Sequence, residues 1–263
     1  MNWSIFKSRK SAVSKSPFPL PFPLYDTHSH ILWDLDDGAV SIEDALSFLQ
    51  RYASLGYRGV VATPHTNHWL FESPEDELVK ERLKQLESAM AETQVQIKIG
   101  AEIMCRDAYS EEFAAGRFRG IGDSYLVEFE NRPGVFTPAL ERFVFDARVS
   151  GKTLILAHPE RYGDVQSGGA QLATLKERGM LMQINLGSLV GKYGRRAEQL
   201  AWQFVSDGTA DMLATDVHRI SDFEYVSDAL AALNRVDECR IETLLCTNPQ
   251  HVFMFRPERI DLE

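Results

Sequence analysis

The residues with the most chemical potential lie together at positions 25–39, YDTHSHILWDLDDGA, where an apolar lead-in delivers Asp26, His28 and His30 and is followed at once by Asp36, Asp37 and Gly38. Side chains two apart in a β-strand share a face, so His28 and His30 project together. Neutral imidazoles paired in this way beside carboxylates suit a mixed N/O site for a divalent metal such as Zn, Mn or Fe. An HxH pair also occurs on ordinary surface strands. The elements that would have to bring further ligands to the same place decide between the two.

Six later apolar, β-branched runs read as short buried strands: RGVVATPH ending at His65, VQIKIGAE at Glu102, SYLVEFE at Glu128, TLILAHPER at His158, MLMQIN at Asn185 and DMLATDVH at Asp216 and His218. Counted from His30, these ends recur every 26 to 37 residues, the length of a strand, a helix and two loops. The intervening segments carry helix start signals and helical periodicity. Ser41 with Asp44 resembles a capping box before Ile42, Ala45, Leu46 and Leu49. Ser73-Pro74 reads as an N-cap and first helical position before Val79, Leu83, Leu86 and Met90, and Thr137-Pro138 does the same for Leu140, Phe143, Val144 and Ala147.

Seven strand-helix units of this kind predict a β/α barrel. An open doubly wound sheet is the alternative, but it gathers ligands from loops at its switch point rather than from nearly every strand. In a barrel the active site is built at the C-terminal ends of the strands. Five of the seven histidines fall on such ends. His68 reads as a surface-loop residue that could line the pocket mouth, and His251 as structural.

Composition bounds the remaining classes. At 263 residues one barrel domain accounts for the chain. The formal charge of -10 argues against a nucleic-acid partner. Cys105, Cys239 and Cys246 are too few and scattered for a disulfide framework and read as reduced thiols of a cytoplasmic protein. None has an arginine six residues on, which excludes the CxxxxxR chemistry of cysteine phosphatases. No apolar stretch is long enough for a membrane span. Residues 1–22, basic and then Pro-rich, read as a weakly ordered arm, leaving 23–263 as the barrel.

HSHILWDLDDGA, TPH, GAE, VEF, AHPERY and TDVH, in that order and at those spacings, resemble the polymerase and histidinol phosphatase (PHP) superfamily. Within it they resemble the bacterial manganese-dependent protein tyrosine phosphatases of capsule and exopolysaccharide systems. The resemblance runs from about residue 24 to 255 and implies a distorted (β/α)7 TIM-like barrel with a trinuclear metal centre. Carried over residue by residue, it implies that His28, His30, Glu102 and Asp216 hold one metal. Glu102 would bridge to a second metal held by Glu128 and His158, and Asp37, His65 and His218 would hold the third. Carboxylates at Asp37 and Glu128, where some members have histidine, favour the tyrosine phosphatase branch and Mn or Fe over Zn.

The mechanism so implied is attack on phosphorus by a metal-activated hydroxide, with the oxyanions neutralised by the cations and an arginine. The resemblance points to Arg161 for that arginine and to a tyrosine autokinase with a tyrosine-rich tail as partner; Arg132 and Arg219, both close to strand ends, are next in line for the phosphate contact. A small-molecule phosphoesterase such as a histidinol phosphatase, and a non-catalytic metal-binding scaffold, are the rival readings.

Overall fold

A computed structural model describes residues 20–90, 93–106, 109–168 and 170–254; most of the proposed N-terminal arm, residues 1–19, lies outside them. The apolar runs form nine described strands: β1 (Leu24–Ser29), β2 (Tyr57–Ala62), β3 (His65–Thr66), β4 (Gln96–Ile99), β5 (Glu102–Cys105), β6 (Ser124–Phe129), β7 (Thr153–Ala157), β8 (Leu181–Asn185) and β9 (Met212–Ala214). Two of the seven expected strands are each broken in two. Pro64, which has no N–H to donate, separates β2 from β3, and Gly100-Ala101 separates β4 from β5.

The pieces pair as β1-β2-β4 and β3-β5-β6-β7-β8-β9, all parallel. Hydrogen bonds from Gly100 N to Ala62 O (2.8 Å) and from Glu102 N to Pro64 O (3.2 Å) carry the ladder across the breaks. The ring closes where Asp216 N donates to His28 O (3.0 Å) and His30 N donates to Val217 O (3.1 Å). The result is the distorted seven-membered barrel, with every pairing parallel and β1 buried along its whole length.

Helices wrap it: α1 (Ile42–Ser54), α2 (Asp76–Ala89), α3 (Tyr109–Ala114), α4 (Pro138–Val149), α5 (Gly163–Gln166), α6 (Ala170–Glu177), α7 (Arg195–Asp207), α8 (Asp222–Ala232), α9 (Glu238–Glu242) and α10 (Asn248–Met254). The Ser41 hydroxyl accepts from Asp44 N (3.3 Å) and Thr137 from Leu140 N (3.2 Å), as their capping sequences predict. The Ser73 cap is a correction. α2 starts later, after Glu75, and the Ser73 hydroxyl instead accepts from Asn67 N (2.7 Å) in the preceding loop. His251 lies in α10, away from the clustered histidines.

Strand alternation separates an apolar barrel interior from a polar mouth. Leu126, Ile155, Leu181 and Met212 pack with Val61 inside, and Phe253 of α10 meets Tyr25 at a ring distance of 5.5 Å. Two residues further along, Glu128 and Gln183 face the same side as Leu126 and Leu181.

β1 breaks this alternation, its register to β2 shifting between Asp26 and Ser29. His28 and His30 therefore reach the mouth while Asp26 turns to the outer layer. There Asp26 accepts from Tyr52 OH (2.6 Å), His28 N (3.2 Å) and Thr215 N (3.1 Å), as well as from the Thr215 hydroxyl. Burial pushes the Asp26 carboxyl above its usual range, against those hydrogen bonds. Asp26→Ala strands several buried donors at the β1-β9 seam, so it is expected to cost about 3 kcal/mol in denaturant unfolding; a loss under 1 kcal/mol would mean that the seam holds without it.

Candidate metal centre

Nine side chains singled out by the sequence converge at the barrel mouth in three overlapping groups whose donor atoms lie within 4.8 Å of one another: His28, His30, Glu102 and Asp216; Glu102, Glu128 and His158; and His30, Asp37, His65 and His218. All are buried except Asp37 and His218, which lie toward solvent. Glu102 sits at the hub. Its Oε2 lies 3.1 Å from His28 Nε2, 3.3 Å from His30 Nε2 and 3.2 Å from His65 Nδ1, while its Oε1 lies 3.0 Å from His158 Nε2.

Neighbouring groups set the histidine tautomers. His28 Nδ1–H donates to Gln183 Oε1 (2.9 Å), whose own amide is turned by donating to Thr27 Oγ1 (2.7 Å). His30 Nδ1–H donates to Asp36 Oδ2 (2.7 Å), and His218 Nδ1–H donates to Asp216 O (3.2 Å). Whenever these rings are neutral, each is left with an Nε2 lone pair aimed into the cluster, the arrangement that metal-binding histidines use.

Two such lone pairs, His28 Nε2 and His30 Nε2, stand only 3.3 Å apart. A cation between them, or an added proton, removes their repulsion. His65 Nδ1, Glu128 Oε1 and His158 Nδ1 are also buried without a hydrogen bond. The donor set is therefore chemically suited to divalent cations.

Several groups that the sequence left without a role complete the site. Asp36, whose neighbour Asp37 is the predicted ligand, also accepts from His65 N (2.9 Å) and Gly38 N (2.9 Å). A Cβ at Gly38 would collide with the His30 backbone, so this loop can fold over His30 only with glycine there. Asp216 turns Oδ1 to the histidines and Oδ2 to Asn185 Nδ2 (2.6 Å) and Arg161 (3.1 Å). Buried Glu160, within HPER, ties that turn to β8 by accepting from Asn185 N (3.1 Å) and the Ser188 hydroxyl (2.6 Å). His158 and Asp216 both adopt positive φ, at 39° and 50°. Non-glycine residues held there store about 1–3 kcal/mol of strain each, as functional sites often do.

The cluster opens into a cleft of about 540 Å³ lined in part by Glu128, His158, Arg161 and Arg132. Arg161 stacks on Tyr193, 4.3 Å from its ring centroid, and its side chain is 37% exposed. Arg132 pairs with Glu130 (2.9 Å) on the cleft wall. Arg219 is exposed beyond His218 and does not line that cleft. His68, expected in a surface loop, is instead half-buried beside His65 and Glu128 and lines the cleft.

Charge is strongly coupled here. Burial disfavours imidazolium at His28, but Glu102 and Asp216 outweigh it and raise the ring to about 9. At His30 burial is likewise outweighed, by Asp36, and the ring is held well above its ordinary value. Glu102 and Asp216 move down despite burial, with His28 foremost among the causes. The raised histidines stabilise the metal-free fold fully below about 6.5, their ordinary value, and lose that contribution as pH rises toward 9. The lowered carboxylates stabilise it above about 4 and lose their contribution in acid. The melting temperature of chelator-treated protein is thus expected to fall between about pH 6.5 and 9, and added divalent metal to reverse that slope, since metal displaces those protons. A flat metal-free profile would show that protons do not fill the site.

The family model for capsular polysaccharide synthesis, CpsB/CapC, matches residues 24–254. CapC of Staphylococcus aureus is 31% identical over 204 residues, covering 76% of this chain and 78% of CapC. The tyrosine-protein phosphatase YwqE of Bacillus subtilis is 26% identical over 233 residues, covering 86% of this chain and 90% of YwqE. Among solved structures, one from work on YwqE and on CpsB of Streptococcus pneumoniae, described as metal-dependent tyrosine phosphatases, superposes with a TM-score of 0.78 at 23% identity, covering 88% of this chain and 94% of that one.

Proposed function

The chain belongs to the CpsB/CapC family of capsular polysaccharide synthesis, and on that premise we propose that it is a metal-dependent phosphatase of protein phosphotyrosine. The observation that carries this reading is the convergence of imidazole and carboxylate donors around Glu102, beside an arginine and at the floor of an open cleft. We assign His28, His30, Glu102 and Asp216 to one cation, Glu102, Glu128 and His158 to a second, and Asp37, His65 and His218 to a third. The carboxylate share of this set favours Mn, then Fe, over Zn.

When bound, the cations supply Lewis-acid charge to the phosphoryl oxygens and bring the pKa of a water toward neutrality. The chain's own residues do the rest. Asp36 and Gln183 hold His30 and His28 in the tautomers that can ligate. Arg161, stacked on Tyr193 and anchored to Asp216, keeps part of its guanidinium toward the cleft, where its fork can meet two phosphoryl oxygens. Arg132 stands further out on the wall for the surrounding peptide. Arg219 is the weakest of the three arginine candidates because it lies off the cleft.

The partner we assign is a tyrosine autokinase of polysaccharide synthesis and export, acted on in the cytoplasm. Support comes from the capsule association of the family and from the free thiols Cys105, Cys239 and Cys246.

Chelation is expected to abolish hydrolysis of a phosphotyrosine peptide and Mn to restore it, with histidinol phosphate a poorer substrate by kcat/KM. Glu102→Ala is expected to lose metal and activity together. Arg161→Ala is expected to keep its metal content and fold but to lose about 10²- to 10³-fold in kcat, and Arg161→Lys to recover part of that. If Arg161→Ala instead strips metal while the loaded remainder turns over normally, Arg161 is only a strut for Asp216. Full activity of the metal-free protein, or preference for histidinol phosphate, would overturn the assignment.

A further inference from the structure

The cleft is flanked by a short loop that carries Trp69 and, within donor distance of His65 and Glu128, His68. Trp69 lines the cleft yet is 60% exposed, and Leu70 next to it is 61% exposed. The loop is not slack. Asn67 adopts positive φ (59°), its N–H donates to Ser73 Oγ (2.7 Å), and its side-chain amide donates to Met104 O (3.1 Å) and Glu112 (3.0 Å). Phe71 stacks on His65 at 5.2 Å with planes 6° apart, and His68 packs against His65, Phe71 and Trp69 at ring distances of 4.7, 5.0 and 5.5 Å. A large indole is thus held in water at the edge of the site by a pinned scaffold.

His68 differs from the rings of the donor cluster in its tautomer. Its Nδ1 accepts from Leu70 N (3.1 Å), so the neutral ring carries its proton on Nε2. Where His28, His30 and His218 present a lone pair, His68 presents an N–H. With Nδ1 engaged by Leu70 N, the neutral ring meets the cleft as a hydrogen-bond donor.

We propose that His68 and Trp69 form the leaving-group subsite, Trp69 flanking the aromatic ring of the substrate and His68 Nε2–H donating to the oxygen that joins that ring to phosphorus. This rests on the phosphotyrosine reading above and names the residues that select an aryl ester within it. In the step, water oxygen forms the new bond to phosphorus, and the bond from phosphorus to the phenolic oxygen breaks with its electron pair going to that oxygen. His68 stabilises the developing phenolate by hydrogen bonding without giving up its proton; the attacking water keeps one proton as the phosphate's hydroxyl and releases the other to solvent, which returns a proton to complete the phenol. Tyrosine, with a pKa near 10, is a poor leaving group and gains most from such a donor.

Two readouts test this in the Mn-loaded full chain, with metal content measured for every variant. In calorimetry, Trp69→Ala is expected to shrink the preference for benzylphosphonate over methylphosphonate by about tenfold, the scale of one aromatic stacking contact. In kinetics, His68→Ala is expected to slow phosphotyrosine peptide by about tenfold or more but p-nitrophenyl phosphate, with its better leaving group, several-fold less, and His68→Gln to restore part of the difference. Equal losses on both substrates, or an unchanged phosphonate preference, would overturn the subsite. If Trp69→Ala fails to load metal, Trp69→Leu, which keeps bulk without a stacking face, gives the same decision. The phosphonate binding does not depend on turnover. A wild-type chain that prefers benzylphosphonate but hydrolyses no aryl phosphate would therefore sink the phosphatase reading while leaving the aryl subsite standing.

Discussion

Electrostatic crowding at the barrel mouth is the constraint on which the rest of this structure depends. Asp37, Glu102, Glu128 and Asp216 meet five imidazoles there, mostly out of reach of water. Buried charge is tolerable only when it is compensated, because an unpaired ion away from water is very costly. Glu102, nearly inaccessible and within 3.3 Å of four histidine nitrogens, shows how the compensation is arranged. One carboxylate serves several neighbours, and either protons or divalent cations must occupy the space between them.

Such a cluster stands only if its members are held from behind. Asp36 and Gln183 fix ring orientation, Asn185 and Arg161 hold the outer oxygen of Asp216, and Glu160 ties the turn after β7 to the end of β8. The positive φ of His158 and Asp216 follows from the same demand. Each strand must stop and turn sharply for its last side chain to point at the shared centre, and the parallel ladder and closed seam supply the rigidity that keeps this strain in place. The broken strands β2/β3 and β4/β5 serve the same end, since His65 and Glu102 each begin the second piece and pair directly across the ladder.

The donor set was legible in the sequence because metal chemistry restricts residue type and barrel topology restricts position: a histidine or carboxylate at the end of all but one of the apolar runs is a pattern that their spacing exposes. Strand and helix order, and the caps at Ser41 and Thr137, followed from local periodicity and local hydrogen bonding. Ser73 misled because an isolated Ser-Pro pair looks like a cap whether its hydroxyl meets its own helix or, as here, the N–H of Asn67. Asp26 shares parity with His28 in the sequence, but a register shift within β1 sends it to Tyr52.

What the sequence by itself determined is which atoms could bind a cation and roughly how far apart along the chain they must lie, because donor chemistry and the strand-helix repeat are local properties. Only the tertiary structure decided which donors share an oxygen or a lone-pair direction, that Asp36 backs His30 while Asp37 faces the mouth, and that His68 offers a proton rather than a lone pair. Those depend on distances between residues far apart in sequence and on tautomers set by neighbours such as Gln183. Neither becomes defined until the barrel closes on itself between His28 and Asp216.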